Sequence, residues 1–199
     1  MSTIEELQEI VSDIESDIGA SKTVIEQIGE DIPTTIAMYS DVNTRNIVIT
    51  VPKGETFNET LANISKALHL YVYTDSHACV ISMRSTIVIE DNNYLCLTMY
   101  ILSEDKAYIL TIPYTRDTDV TWYNELAEVT PVDDQEFDEQ GKDMITMFYI
   151  FINNVMPQNI FTPEEILSYL SSTDAAVKIL DDKTYSFFDF SPEEEPLLQ

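Results

Sequence analysis

Glycine is scarce in this chain, with four among 199 residues. A loop that cradles phosphate needs several glycines close together, so P-loop and dinucleotide-fingerprint chemistry is excluded at once. Positive charge is scarce too: ten Lys+Arg stand against 36 Asp+Glu, for a formal net charge of −26. Such a chain repels phosphate backbones and anionic membrane surfaces, so its natural partner is a basic protein surface, with no direct nucleic-acid and no membrane binding. The two cysteines, Cys79 and Cys96, make no disulfide framework. Both fall inside strand-like runs and read as small buried hydrophobes. The longest greasy stretch, MITMFYIFINNVM (144–156), holds 13 residues including two Asn. About 20 apolar residues are needed to cross a bilayer, and the opening MSTIEELQEI lacks a basic stretch ahead of an apolar core. A soluble, cytoplasmic protein is the expectation.

What the chain does contain is enough to fold. Hydrophobic residues make up 44%, with eight Phe and eleven Tyr, which supplies a core and argues against global disorder. The N-terminal segment is the most regular. Ile4, Leu7, Val11, Ile14, Ile18, Ile25, Ile28 and Ile32 recur at alternating intervals of three and four, with Ser21 filling the missing slot. That is a heptad seam. Thr3 with Glu6, and Thr23 with Glu26, match capping boxes. Gly19 and the second box suggest a break near 19–23, so one long helix competes with two. Two roles compete as well: an amphipathic helix lying on its own domain, or a coiled coil through which the chain forms a homo-oligomer.

Further along, RNIVITV (45–51) reads as a strand and 57–68 as a helix with Thr56 and Glu59 at its start and Phe57, Leu61, Ile64 and Leu68 on its buried stripe. Four strand-like runs follow, at 70–74, 78–89, 94–102 and 107–113, joined by connectors too short for crossovers. Neighbouring strands must then be antiparallel. Residues 117–143 read as a long acidic loop with one helical turn near 122–128, followed by helices at 143–156 and 163–171. The expected fold is α+β: a four- to five-stranded antiparallel meander packed by helices and preceded by the heptad-patterned helix. Three regions are expected: helical 1–32, an α+β domain at 33–173 with the acidic loop inside it, and an aromatic, acidic tail at 174–199.

The acids are unevenly spread. Residues 1–32 hold nine acids and one base, 33–116 eight and six, and 117–143 ten and one. Within the last of these, VDDQEFDEQGKD (132–143) packs six acids into twelve residues. Aligned on Gly141, it puts Glu136, Asp138 and Gln140 in the first donor slots of a calcium loop, but the twelfth position is Met147, which cannot ligate. No metal is expected. Carboxylates crowded in a polar loop are solvated and lack the raised pKa of a catalytic pair. His77 and Cys79, with His69 nearby, supply too few ligands for zinc, and no nucleophile or metalloprotease motif is present. The chain is read as a non-enzyme without cofactor.

As recognition chemistry the acids gain meaning, because carboxylates spaced along a helix and loop can pair with the Arg and Lys that grip nucleic acid. The expected contacts are Asp133, Asp134, Glu136, Asp138 and Glu139, with Glu9, Asp13 and Asp17 along the helix, and Trp122 and Phe137 as apolar anchors. In charge alone this is similar to viral proteins that mimic DNA and inhibit nucleic-acid-binding proteins. The alternatives are acidity that serves solubility or salt adaptation, and a small acidic chaperone or adaptor. The last resembles, in size, acidity and mixed build, those that serve bacterial secretion systems, and would hold its client on an apolar sheet face or on the helical seam.

Overall fold

Residues 78–103 set the frame, because they alternate apolar side chains over two long strands with only two residues between them. In the computed structural model β3 (Ala78–Ile89) and β4 (Asn92–Ser103) pair along their whole length, from Ala78↔Ser103 to Ile89↔Asn92. The two turn residues, Glu90 and Asp91, take φ of 48° and 63°. Positive φ at both central positions gives a turn whose twist matches that of the flanking strands. The structure describes residues 4–28, 33–51, 54–73, 76–103, 106–132, 165, 168, 176–181 and 184–188.

Around this hairpin the sheet grows in both directions. On one side β5 (Ala107–Arg116) pairs with β4 and carries β6 (Val120–Trp122) and β7 (Glu128–Pro131) on its far edge. On the other, β1 (Thr34–Asp41) pairs with β3, β2 (Thr44–Val51) with β1, then β8 (Ala176–Asp181) and β9 (Thr184–Phe188). Every pairing is antiparallel, in the order β6-β5-β4-β3-β1-β2-β8-β9 with β7 also on β5. The molecule is α+β, as expected, but among the described residues the sheet has nine strands rather than four or five.

The differences have physical causes. Thr34–Asp41, not foreseen as a strand, is held between β2 and β3, and its central Ile36, Ala37, Met38 and Tyr39 are all buried. The run 70–74, expected as a strand, is helix: α3 spans Phe57–Tyr73. Its buried Ile64, Ala67, Leu68 and Tyr71 continue one stripe at intervals of three and four, so packing overrides the strand preference of Leu-Tyr-Val-Tyr. The Thr56–Glu59 box forms as foreseen, with Glu59 N–H donating to Thr56 Oγ1 at 3.2 Å and Glu59 Oε2 accepting from Thr56 N–H at 3.3 Å. Within the expected acidic loop, 120–122 and 128–131 are strands and 124–126 is one 3-10 turn. The segment 174–199, expected as a tail, contributes β8, which pairs with β2, and β9, which pairs with β8 at the end of the strand order. The expected helix 143–156 lies outside the described residues, and of 163–171 only Glu165 and Ser168 are described, both helical.

Period-two alternation gives the sheet two apolar faces. One buries Ile36, Met38, Ile47, Ile49, Cys79 and Ile81 against α3. The other buries Ala37, Tyr39, Val80, Leu97, Met99 and Leu110 against the N-terminal helices. Those helices are two, α1 (Ile4–Gln8) and α2 (Ile14–Ile28), broken at 9–13 and not near 19–23. Thr23, expected as a cap, bonds instead to the Gly19 carbonyl one turn back (2.9 Å), which lets the helix run through. The actual break is fixed by tertiary contacts. Ser12 N–H donates to Val42 O (2.9 Å), Ser12 Oγ to Asn43 Oδ1 (2.6 Å), and the Ile10 carbonyl lies 3.1 Å from His77 Nε2.

The middle of the seam is spent on the sheet, while Ile4 and Ile28 near its ends stay exposed. Leu7, Val11, Ile14 and Ile25 are at most 1% exposed and belong to the same cluster as Tyr39, Leu97 and Met99. A coiled coil needs that stripe free for a second chain, so the expected homo-oligomer through the N-terminal helix loses its contact surface. The chaperone alternative loses the seam as a client groove for the same reason.

Candidate acidic interaction surface

An amphipathic helix that buries its seam must turn its polar residues outward. On α1, the break and the first turn of α2, Glu5, Glu9, Asp13 and Glu15 are exposed. Glu5, Glu9 and Asp13 recur every four residues. Glu9 meets Lys106 at 2.8 Å, which holds its carboxyl below the ordinary glutamate range through the hydrogen bond and the ammonium charge, and raises Lys106 in turn. Both side chains are largely solvated, so this pair adds little to stability. Among the described residues it is one of two ion pairs, and the other is internal. The outer acids of this face are otherwise presented to solvent.

The neighbouring strand edge leads to the acidic run. Pro131, the last residue of β7, pairs with Tyr108, two residues after the Lys106 that holds Glu9. Val132 follows, buried at 6% exposure. Pro131 is therefore paired near the start of β5, the strand that follows Lys106. Asp133, Asp134, Glu136, Phe137, Asp138 and Glu139 lie outside the described residues.

Asp17 departs from expectation. Instead of standing in an outward row with Glu9 and Asp13, it is 6% exposed. It accepts hydrogen bonds from the Tyr39 hydroxyl and from Arg45 Nη2, and Arg45 Nε donates to Tyr39 Oη at 3.1 Å. This network ties α2 to β1 and β2. Burial pushes the Asp17 carboxyl above the ordinary aspartate range, with the Tyr39 hydrogen bond and the Arg45 charge working against that rise. The one available signal was position: Asp17 follows Ile14 by three residues, which turns both to the same side of the helix. Tyr39 and Arg45 gave no signal of partnership, being 22 and 28 residues away in sequence.

Trp122 also has an inward role rather than that of an open anchor. Its ring stacks at a tilt on Tyr114 (4.8 Å between centroids), its Nε1 donates to Glu26 Oε1 at 2.8 Å, and Lys22 Nζ lies 4.9 Å over the ring. It staples α2 to β5 and β6. Glu26 and Lys22, which hold it, were not singled out in the sequence, because nothing local pairs residues almost a hundred positions apart.

The two cysteines and His77 are tied into the fold. Cys79 and Cys96 are free thiols, wholly buried; burial pushes Cys96 up to about 11 and Cys79 up further still. Neither is an accessible thiolate at neutral pH. His77 places its two ring nitrogens 3.1 Å from the carbonyls of Tyr39 and Ile10, tying the helix break to β1. No cluster of three His, Cys, Asp or Glu side chains suited to a metal occurs among the described residues, and no described helix is long and apolar enough to cross a membrane. Comparison with protein-family models, curated proteins and solved structures finds no match to this chain.

Proposed function

We propose that this chain is a non-enzymatic acidic interaction protein whose carboxylates meet a basic surface of a partner protein. The observation that carries the reading is the solvent-facing row Glu5, Glu9, Asp13 and Glu15, one of whose members has an ion-pair partner among the described residues. The sequence that follows Val132 adds six acids within twelve residues, which supports the reading by composition. A partner that grips phosphate would meet carboxylates set along α1, the break after it and the start of α2. Bidentate Arg–carboxylate pairs are the expected contact. The finer form of the proposal is nucleic-acid mimicry: inhibition of a nucleic-acid-binding protein by occupying its cationic groove.

Binding to an arginine-rich DNA-binding domain, measured by calorimetry across a salt series, tests this. Affinity should fall steeply as salt rises, DNA should compete, and the variant Glu5→Gln, Glu9→Gln, Asp13→Asn, Glu15→Gln should bind about tenfold or more weakly. Binding that ignores both salt and the four substitutions refutes the reading and favours an adaptor working through apolar contacts.

A further inference from the structure

Three of the ten basic residues gather at one end of the sheet face that α2 covers: Lys22 on α2, Arg84 on β3 and Arg116 at the end of β5. The strand register explains how the arginines meet. Thr86, Leu95, Tyr114 and Trp122 form one cross-strand row. Arg84 belongs to the row on one side, opposite Leu97, and Arg116 to the row on the other, opposite Val120. Tyr114 sits between them, fully buried, with its ring against Trp122.

Two donors at this point are unused. The Tyr114 hydroxyl and Arg116 Nη1 are both buried without a hydrogen-bond partner. The other guanidinium nitrogen of Arg116, Nη2, is engaged with the Glu26 carbonyl at 3.3 Å. Burial raises the Tyr114 hydroxyl above its ordinary value, while the charges of Arg84 and Arg116 work against the rise, so both guanidinium groups bear on that oxygen. Glu26 Oε1 accepts from the Trp122 indole, and the exposed Asp117 and Asp119 form no ion pair with Arg116 among the described residues. Buried donors without partners in a native fold call for an explanation, and an ion is one of the usual ones.

We propose that Tyr114 and Arg116, backed by the charge of Arg84, form a binding site for a carboxylate. One O–H and one guanidinium N–H match the two oxygens of a planar carboxylate. A monoanion also suits the setting better than a dianionic phosphate, because a chain of net charge −26 repels the second charge as well. The site is opposite in sign to the acidic face and independent of it.

Trp122 is the single tryptophan of the chain, so its indole N–H resonance reports on the site directly. Acetate, titrated into the full-length protein at constant ionic strength with chloride as the control, should shift that resonance to saturation. Tyr114→Phe and Arg116→Gln should each weaken acetate binding by about tenfold. Tyr114→Phe keeps the ring and serves if Arg116→Gln fails to fold. A short peptide with a free C-terminus, set beside its amidated form, distinguishes the sources. Tighter binding of the free acid than of acetate points to a chain terminus, and equal binding points to a small organic acid. A shift identical in chloride, tighter binding of phosphate than of acetate, or wild-type acetate affinity in Tyr114→Phe overturns the assignment, leaving buried water as the partner of these donors.

Discussion

Replacing Arg45 by alanine strands the Asp17 carboxylate inside the fold, and the cost follows from exposure. The Asp17 side chain is 7% exposed and that of Arg45 is 26%. Removing one partner of a fully buried pair costs about 3–5 kcal/mol, because the remaining charge stays desolvated. Exposed pairs contribute about 0–1 kcal/mol. Water already reaches a quarter of Arg45, so a loss of about 2–3 kcal/mol is expected. For a chain of this length each kcal/mol moves Tm by about 2–4 °C, so the variant should melt about 4–12 °C lower.

The loss should also depend on pH in a defined direction. Burial raises the folded-state pKa of Asp17 above its unfolded value. A carboxyl raised in this way binds its proton more tightly when folded. Its contribution to stability is complete below the unfolded pKa and is lost as pH rises through the folded one. Arg45 moderates that rise. Without it the folded pKa climbs further, so the deficit of Arg45→Ala should be smallest at acid pH, where Asp17 is protonated, and should grow as pH rises and the carboxyl ionises. Adding Asp17→Asn removes the stranded charge, and the double variant should recover at least half of the deficit at the higher pH. Urea unfolding at several pH values measures all three variants. A deficit below about 0.5 kcal/mol at every pH, or one that does not change with pH, refutes the claim that Asp17 is a buried charge held by Arg45.

Three further outcomes follow from packing. Leu7→Ala should cost about 2–4 kcal/mol, since Leu7 is 0% exposed, while light scattering finds the molar mass unchanged; a drop in mass would restore the coiled-coil role of the seam. Gly54→Ala should lower the urea midpoint by the equivalent of about 1–3 kcal/mol, because a Cβ there would lie 2.7 Å from Glu59 Cβ and 2.8 Å from Thr60 N. Unchanged stability would mean that the start of α3 shifts freely. Neither Cys79 nor Cys96 should react with a thiol reagent at neutral pH faster than the protein unfolds, given burial and the raised thiol pKa values; rapid labelling of either would show that its sheet face is open.

Legibility differed from element to element. The hairpin β3–β4 was readable because the strand-like runs 78–89 and 94–102 are joined by a connector too short for a crossover. The start of α3 was readable because its capping box is local chemistry. Its end was not, since Leu-Tyr-Val-Tyr favours a strand and only the position of Tyr71 over the sheet shows why the helix continues. The same holds for β6 and β7, short polar runs that become strands because β5 offers them an edge. Among the site residues, Glu9 and Asp13 were expected outward on a helix and are exposed, although both lie in the break between α1 and α2. Asp17 and Trp122 were not legible in their roles, because their partners Arg45 and Glu26 come from other elements.

The sequence by itself determined the sign and placement of the charge, the apolar seam of the N-terminal helices, and the antiparallel pairing of the central strands. These depend on composition and on periods of two and three to four residues, which act over a few neighbours. Only the tertiary structure decided that the seam lies on the chain's own sheet, that Asp17 turns inward to Arg45, and that two arginines flank a buried tyrosine hydroxyl. Each of those depends on which distant surface reaches a residue first and excludes water from it, and that competition is settled by the whole fold.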